Sequence, residues 1–222
     1  MSDLRLDQLD VDGALEEAHA GLTRAGFIVA GTAALGALAA GAPAASAAGL
    51  PASDVDVLNY ALVLEYLQAA FYTEAERSKA LTGRPAEAAR VVGAVERAHV
   101  KAFRDLLGSK AVGRPHFDFR GVTEANKPFL KTAVAFEDLA VAAYKGQARR
   151  IRSKAVLTSA LGIHTVEARH AAWMRYLNGN VPAVSAFDLP RNRREIDAIV
   201  RSTGFVAPRP ETSSRREPRF SG

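Results

Sequence analysis

Two stretches of the chain, Glu96-Arg97-Ala98-His99 and Glu167-Ala168-Arg169-His170, place a histidine three residues after a glutamate. A lone glutamate precedes each stretch at nearly the same distance: Glu65 lies 31 residues before the first, and Glu137 lies 30 residues before the second. The two sets are offset by 71 to 72 residues, so the same residue types recur as a duplicated unit. Self-similarity at a fixed offset indicates that one structural unit occurs twice in the fold.

The three-residue spacing within each stretch suits an α-helix. Residues i and i+3 lie about 60° apart around the axis and about 4.5 Å apart along it, so both side chains project from one face. A carboxylate can bridge two ions, whereas an imidazole nitrogen binds one. Two such helices, with one glutamate from each of two others, form the two-metal site of a four-helix bundle, and iron and manganese both accept these ligands. The predicted ligands of two iron or manganese ions are Glu65, Glu96, His99, Glu137, Glu167 and His170.

The motif alone is a weak indication of a metal site. A third copy, Glu16-Glu17-Ala18-His19, lies in a stretch that we expect to be removed or unstructured. The stronger indication is the repeat with its correctly placed partner glutamates, Glu65 and Glu137, which also interrupt the apolar runs 60–67 and 133–141. Burying an unpaired carboxylate costs several kcal/mol, and two dications would neutralise four carboxylates. The alternative is a plain helical bundle whose polar residues are all exposed, which predicts no stoichiometric metal.

The positions of the turns provide an independent check on this pairing. Residues at the same height in two antiparallel helices are equidistant from the turn between them. The midpoint of Glu65 and Glu96 falls beside residues 81–85, where Gly and Pro can end one helix and begin the next. The midpoint of the second glutamate pair falls beside Ser153, a suitable N-cap. The sequence therefore predicts two antiparallel hairpins related by a pseudo-two-fold axis.

The predicted fold is all-α, an antiparallel four-helix bundle with a crossover loop and a short C-terminal helix. The segment between helices two and three, residues 108–126, contains glycines, a proline and few periodic positions. At roughly 3.3 Å per residue it can cross the length of the bundle instead of forming a tight hairpin. The predicted helices span about 54–80, 85–107, 127–150, 154–177 and 191–202.

Composition fits one globular domain. The 222 residues are 48% hydrophobic and 24% charged, which allows a substantial core, and the absence of cysteine excludes disulfides, thiolate metal sites and cysteine nucleophiles. The net charge of +5 derives largely from arginines near the C-terminus. We find no groove-reading motif and no basic–aromatic interleaving, so we predict a solvated, disordered basic tail at 206–222 and no nucleic-acid partner. The bundle domain is predicted to span 49–205.

Residues 1–48 have the pattern of an export signal. A polar stretch leads to Arg24, an Ala/Gly-rich apolar run follows, and Ala45-Ser46-Ala47 is a small-x-small cleavage site. Thr23-Arg24-Ala25-Gly26-Phe27-Ile28 is similar to a twin-arginine signal in which Ala25 replaces the second arginine. We therefore expect export to the cell envelope, the periplasm or the exterior, with transient membrane contact through this segment. The alternative is a flexible or membrane-associated arm that is never cleaved.

Two tyrosines extend the repeat, and one histidine does not. Tyr72 follows the first lone glutamate by seven residues, and Tyr144 follows the second by seven. We favour core tyrosines with satisfied hydroxyls; the alternative is a hydrogen bond to a metal ligand or one-electron transfer near the metals. His164 lies three residues before a candidate ligand, but its counterpart in the first half is Gly93, so we expect a surface or supporting position.

These residues resemble the ferritin-like superfamily of two-metal carboxylate four-helix bundles, and within it the exported bacterial group that includes desiccation-related proteins. The resemblance covers about residues 54–205. Besides the six candidate ligands it rests on segments 115–119, 137–146 and 187–190. It implies that the six positions match the ligands of the family, and that the protein binds iron or manganese and performs redox chemistry with oxygen or peroxide.

Two functions remain open at this point. One is a di-iron or di-manganese oxidoreductase that oxidises Fe(II) or decomposes peroxide in oxidative or desiccation stress, with metal ions and small oxidants as its partners. The other is a non-catalytic metal-binding or stress-protective envelope protein. The sequence leaves homo-oligomerisation open.

Overall fold

The computed structural model of the chain describes residues 49–208. The predicted export segment and residues 209–222 of the predicted tail lie outside this range. Within residues 49–208, no helix combines the length and the apolar character that crossing a membrane requires. The elements are α1 (Ala52–Ser78), α2 (Gly83–Leu107), a 3-10 turn (Gly108–Lys110), β1 (His116–Phe117), α3 (Asn126–Ala148), α4 (Lys154–Leu177), α5 (Arg193–Thr203) and β2 (Val206–Ala207).

Four long helices form two hairpins. Helix α1 packs along α2 and α3 packs along α4, while α1 also contacts α3 and α2 contacts α4. The first turn uses left-handed backbone at Lys79 (φ 55°) and Gly83 (φ 61°). In the second turn, the Ser153 side chain caps α4 by accepting a hydrogen bond of 3.4 Å from the Val156 amide. The prediction of an all-α bundle is confirmed, and both turns lie where the glutamate midpoints place them.

The connection between the hairpins crosses the bundle from end to end. Near its start, the Asn59 side chain donates to the Lys110 carbonyl (2.9 Å) and accepts from the Val112 amide (2.8 Å). Near its end, the Thr123 hydroxyl donates to Glu74 (2.8 Å). Positions 59 and 74 of α1 are separated by about 22 Å along the helix axis. The predicted crossover loop is therefore present, and α2 and α3 run in the same direction.

A two-stranded pairing joins the crossover to the end of the described chain. Strands β1 and β2 are antiparallel, with His116 opposite Ala207 and Phe117 opposite Val206. The Phe119 ring packs against the ring of Phe117 and, at 5.5 Å between centroids, against that of Phe205. Val206 and Ala207 therefore belong to the folded part, although they were predicted to lie in the tail, and the predicted crossover loop contains a short strand at His116 and Phe117.

The chain after α4 returns across α3 before it forms α5. At the crossing, the Arg191 amide donates to the Ala142 carbonyl (3.1 Å), and a Cβ at Gly146 would lie 1.9 Å from the Arg191 carbonyl oxygen. Glycine at 146 is what permits this approach. Asn192 and Glu195 then form a capping box at the start of α5, which buries Ile196 completely against the bundle.

Candidate metal centre

The six candidate ligands converge in the middle of the four long helices. Helices α1 and α3 each contribute one glutamate, and α2 and α4 each contribute a glutamate and a histidine one turn apart. All six side chains are buried, with exposed fractions between 0% and 7%. They lie between two apolar clusters, one around Phe71 and Phe136 and the other around Leu62 and Phe103, which separate the site from bulk water.

The ligand atoms form two overlapping groups. Position A consists of Glu65, Glu96, His99 and Glu167, and position B consists of Glu96, Glu137, Glu167 and His170. Within each group, one atom from every residue lies within 4.8 Å of the others. Glu96 and Glu167 belong to both positions. A carboxylate has two oxygens, so each of these glutamates can serve one ion with each oxygen.

At position A, one imidazole nitrogen faces three carboxylates. The His99 Nδ1 atom lies 3.2 Å from Glu65 Oε2, 3.2 Å from Glu167 Oε1 and 3.6 Å from Glu96 Oε2. Adjacent ligands of an octahedral ion at roughly 2.1 Å are about 3 Å apart, so these separations suit donors of one cation. The donor set, carboxylate oxygen with imidazole nitrogen, suits iron and manganese.

Position B repeats this arrangement from the opposite hairpin. The His170 Nδ1 atom lies 3.0 Å from Glu96 Oε1, 3.6 Å from Glu137 Oε2 and 3.9 Å from Glu167 Oε2. Both oxygens of Glu96, one of Glu167 and His170 Nδ1 are buried without an aligned hydrogen-bond partner in the protein. Buried polar atoms of this kind are costly unless a ligand satisfies them. A cation at each position would satisfy all four, so the residues present fit two metal ions.

Comparison with known protein families agrees with this geometry. A family model described as a ferritin-like domain matches residues 53–180, which span more than half of the chain, all four long helices and all six candidate ligands. The chain belongs to the ferritin-like domain family. The comparison with curated proteins gives no match. The ferritin-like fold and the buried carboxylate–histidine cluster together fit a two-metal protein.

Burial raises the pKa of two carboxylates of the ferritin-like centre, Glu65 and Glu167. Burial raises the pKa of Glu65 to about 7. Burial also raises the pKa of Glu167 well above its usual range, and the neighbouring charge of Glu96 adds to this. For Glu96, the nearby imidazoles of His170 and His99 outweigh the effect of burial and hold its pKa below the usual range. Glu65 and Glu167 therefore hold their protons to a higher pH than ordinary glutamates do.

The two histidines have raised pKa values for the complementary reason. Burial favours the neutral imidazole, but the carboxylates around each ring outweigh it, led by Glu65 for His99 and by Glu137 for His170. Both pKa values lie well above the ordinary value for histidine. Both imidazoles therefore hold protons to a higher pH than an ordinary histidine does, and metal binding must displace any proton on the ligating nitrogen.

Each repeat tyrosine hydrogen-bonds to the lone glutamate of the opposite half. The Tyr72 hydroxyl donates to Glu137 Oε1, and the Tyr144 hydroxyl donates to Glu65 Oε1. Burial and the adjacent carboxylates raise the pKa of both tyrosines, which keeps them protonated as donors. The hydroxyls are satisfied, as the favoured prediction required, but their partners are candidate metal ligands. The less favoured prediction, a hydrogen bond to a ligand, therefore describes them better.

Sequence analysis missed one residue of the centre. Gln68 is 2% exposed, and its Nε2 atom lies 3.2 Å from Glu137 Oε2 and 3.4 Å from Glu167 Oε2. Its only signal in the sequence is a polar residue on the face of Glu65, one turn further along an apolar run. His164 belongs to neither position: it is half-buried, and burial lowers its pKa.

Proposed function

We propose that this ferritin-like protein binds two iron or manganese ions at positions A and B and performs redox chemistry with Fe(II), oxygen or peroxide. The observation that carries this proposal is the sharing of Glu96 and Glu167 by both positions. Shared carboxylates keep two ions close together, which suits reactions that move two electrons to one small oxidant. A centre for one structural ion would need only one of the two groups.

When bound, the metal pair would supply the redox chemistry and the site for a small oxidant. The protein residues hold the ions and control protons around them. Glu65 and His99 complete position A, and Glu137 and His170 complete position B. The protonated tyrosine hydroxyls hold one oxygen of each lone glutamate, which directs the other oxygen toward the histidine of the same position. The apolar clusters exclude water, and we infer that only small reactants reach the centre.

The donor set supports iron or manganese over softer metals. Every candidate ligand atom is a carboxylate oxygen or an imidazole nitrogen, and the chain has no cysteine. Softer ions such as Cu(I) favour thiolate or thioether sulfur. Metal analysis of protein purified from its native host would identify the metal. Zinc or copper in place of iron and manganese would contradict this part of the proposal.

The redox function is tested by loading metal-free protein with two equivalents of Fe(II) or Mn(II) and following oxygen or peroxide consumption. We expect turnover above that of the free metal, lost in Glu65→Ala but retained in Glu76→Ala. Glu76 is a matched control because it lies on the same helix and pairs with Arg97 away from the centre. Two bound ions that raise thermal stability without turnover would instead support the non-catalytic, stress-protective function.

We also propose that the protein is exported and acts in oxidative or desiccation stress. Support comes from the signal-like pattern of residues 1–48 and its small-x-small site at Ala45-Ser46-Ala47. Cell fractionation with mass analysis of the isolated protein tests the location. Intact chain recovered only from the cytoplasm would refute export, without bearing on the metal centre.

A further inference from the structure

The repeat that builds the centre is broken at one buried position. Gln68 lies three residues after Glu65, and the equivalent position three residues after Glu137 is Ala140. Both are buried, with 2% and 1% of their surface exposed. The four carboxylates, two histidines and two tyrosines all have a counterpart in the other half, but the amide of Gln68 does not. The two metal positions therefore differ in their surroundings.

The Gln68 amide serves position B. Its Nε2 donates to Oε2 of Glu137 (3.2 Å) and approaches Oε2 of Glu167 (3.4 Å). These are the two oxygens that lie nearest His170 Nδ1 from their respective glutamates. The other oxygen of Glu137 accepts from Tyr72. Both oxygens of the lone glutamate at position B are thus held by side-chain donors before any ion binds.

Position A lacks a donor equivalent to Gln68. Its lone glutamate, Glu65, accepts from Tyr144 at Oε1, and its Oε2 lies 3.2 Å from His99 Nδ1, an atom of a residue that would itself bind the ion. Ala140 supplies no polar group there. With ions bound, Glu65 would keep one donor from outside the ligand set, Tyr144, whereas Glu137 would keep two, Tyr72 and Gln68.

We propose that Gln68 is a positioning residue that makes the two metal positions unequal, so that position B binds its ion more tightly and fills first. This inference rests on the proposed two-metal function. A donor that fixes the orientation of a ligating carboxylate reduces the ordering that metal binding requires, and removing such outer partners typically costs about 10- to 100-fold in metal affinity. Gln68 bridges one lone and one shared carboxylate, so its effect is concentrated on position B.

The test is a titration of the metal-free full-length chain with Mn(II), followed by the loss of the electron paramagnetic resonance signal of aqueous Mn(II). Wild-type protein should bind two ions in two resolved steps. Gln68→Leu, which keeps the side-chain volume but removes the donor, should weaken the tighter step by about 10- to 100-fold and leave the weaker step nearly unchanged. Gln147→Leu is the matched control, because Gln147 is a buried glutamine on α3 that hydrogen-bonds Arg150 instead of the centre.

Single-position backgrounds assign the steps. Glu65→Ala leaves position B intact, and Glu137→Ala leaves position A intact. Adding Gln68→Leu should weaken Mn(II) binding strongly in the first background and much less in the second. Circular dichroism reports whether each variant is folded; if a glutamate variant is not, the comparison of wild type with Gln68→Leu still decides the matter.

The outcomes separate this inference from the function on which it rests. If wild-type protein binds no Mn(II), Fe(II) or other redox metal stoichiometrically, the two-metal function is refuted. If two Mn(II) ions bind with one affinity, or if Gln68→Leu binds both ions as wild type does, only the inequality is refuted. Tighter binding at position B in Gln68→Leu would also overturn it, because it would show that the amide competes with the metal for the carboxylate oxygens.

Discussion

Because Glu96 and Glu167 belong to both metal positions, some substitutions should abolish the binding of one ion and others the binding of two. Glu65 belongs to position A alone, whereas Glu96 belongs to both positions. Glu65→Ala should therefore leave position B able to bind, and Glu96→Ala should weaken both positions. The quantity to compare is the rise in melting temperature when metal is added to each variant. Taking this difference removes the effect of each substitution on the metal-free fold.

The expected magnitudes follow from mass action. An ion present at about a hundredfold above its dissociation constant stabilises the folded state by roughly 2.7 kcal/mol, so two ions contribute roughly 5.4 kcal/mol. For a folded domain of about this size, 1 kcal/mol shifts the melting temperature by roughly 2–4 °C. Wild-type protein should gain about 10–20 °C, and Glu65→Ala, which keeps the tighter position B, should retain at least half of that gain. Glu96→Ala should gain less than Glu65→Ala.

Thermal unfolding followed by far-ultraviolet circular dichroism, with and without Mn(II), provides the assay, and inductively coupled plasma analysis counts the bound ions. Glu76→Ala should gain as much as wild type, because its carboxylate pairs with Arg97 outside the centre. The reasoning fails if Glu65→Ala and Glu96→Ala lose the same number of ions, or if neither loses any. Either result would mean that Glu96 does not serve two ions.

Three further predictions concern protons, a hydroxyl and a close packing contact. Metal affinity should rise between about pH 5 and about pH 8, because burial raises the pKa of Glu65 to about 7 and the raised pKa of both imidazoles makes an ion displace protons there too. Calorimetry in buffers of different ionisation enthalpy measures this proton release. A metal affinity that does not depend on pH would contradict the prediction. Tyr72→Phe should destabilise the protein by about 1.5–3 kcal/mol, because it removes the hydrogen bond to Glu137. Urea unfolding measures this loss, and an unchanged urea midpoint would show that the hydrogen bond does not stabilise the fold. Gly146→Ala should displace the chain at Arg191, because the new Cβ would lie 1.9 Å from the Arg191 carbonyl oxygen. The substitution should lower the free energy of unfolding by about 1–3 kcal/mol. Limited proteolysis should then cleave the segment after α4 faster than in wild-type protein, and a wild-type cleavage pattern would argue against the contact.

The helices and turns could be predicted because their determinants are local or repeated. Equal distances of Glu65 and Glu96 from a Gly- and Pro-containing segment were enough to locate the first turn, and Ser153 located the second. The pairing of β1 with β2 could not be predicted in this way. Strands of two residues carry no periodic pattern, and their partners are far apart in sequence, so tertiary packing of Phe119 and Phe205 determines the contact.

The candidate centre was predictable to the extent that it repeats. The structure brings together all six residues that the repeat identified, but the partner of each tyrosine was beyond sequence reasoning. Seven residues along a helix place Tyr72 about 10 Å from Glu65, so it cannot reach the glutamate of its own half. The antiparallel approach of α1 to α3 brings it to Glu137 instead. Gln68 escaped detection because it has no counterpart in the second half.

The crossed pairing of the tyrosines has a further consequence for how this chain is put together. Tyr72 reaches Glu137 while Tyr144 reaches Glu65, which is the reciprocal pattern of an isologous dimer interface: residue i contacts j, and j contacts i. Each hairpin thus behaves like one subunit of a dimer, and the crossover acts as a covalent tether between the subunits. Neither hairpin contains a complete set of donors for either ion. Cleaving the tether at residues 112–116 should therefore yield two fragments whose reassociation is promoted by metal.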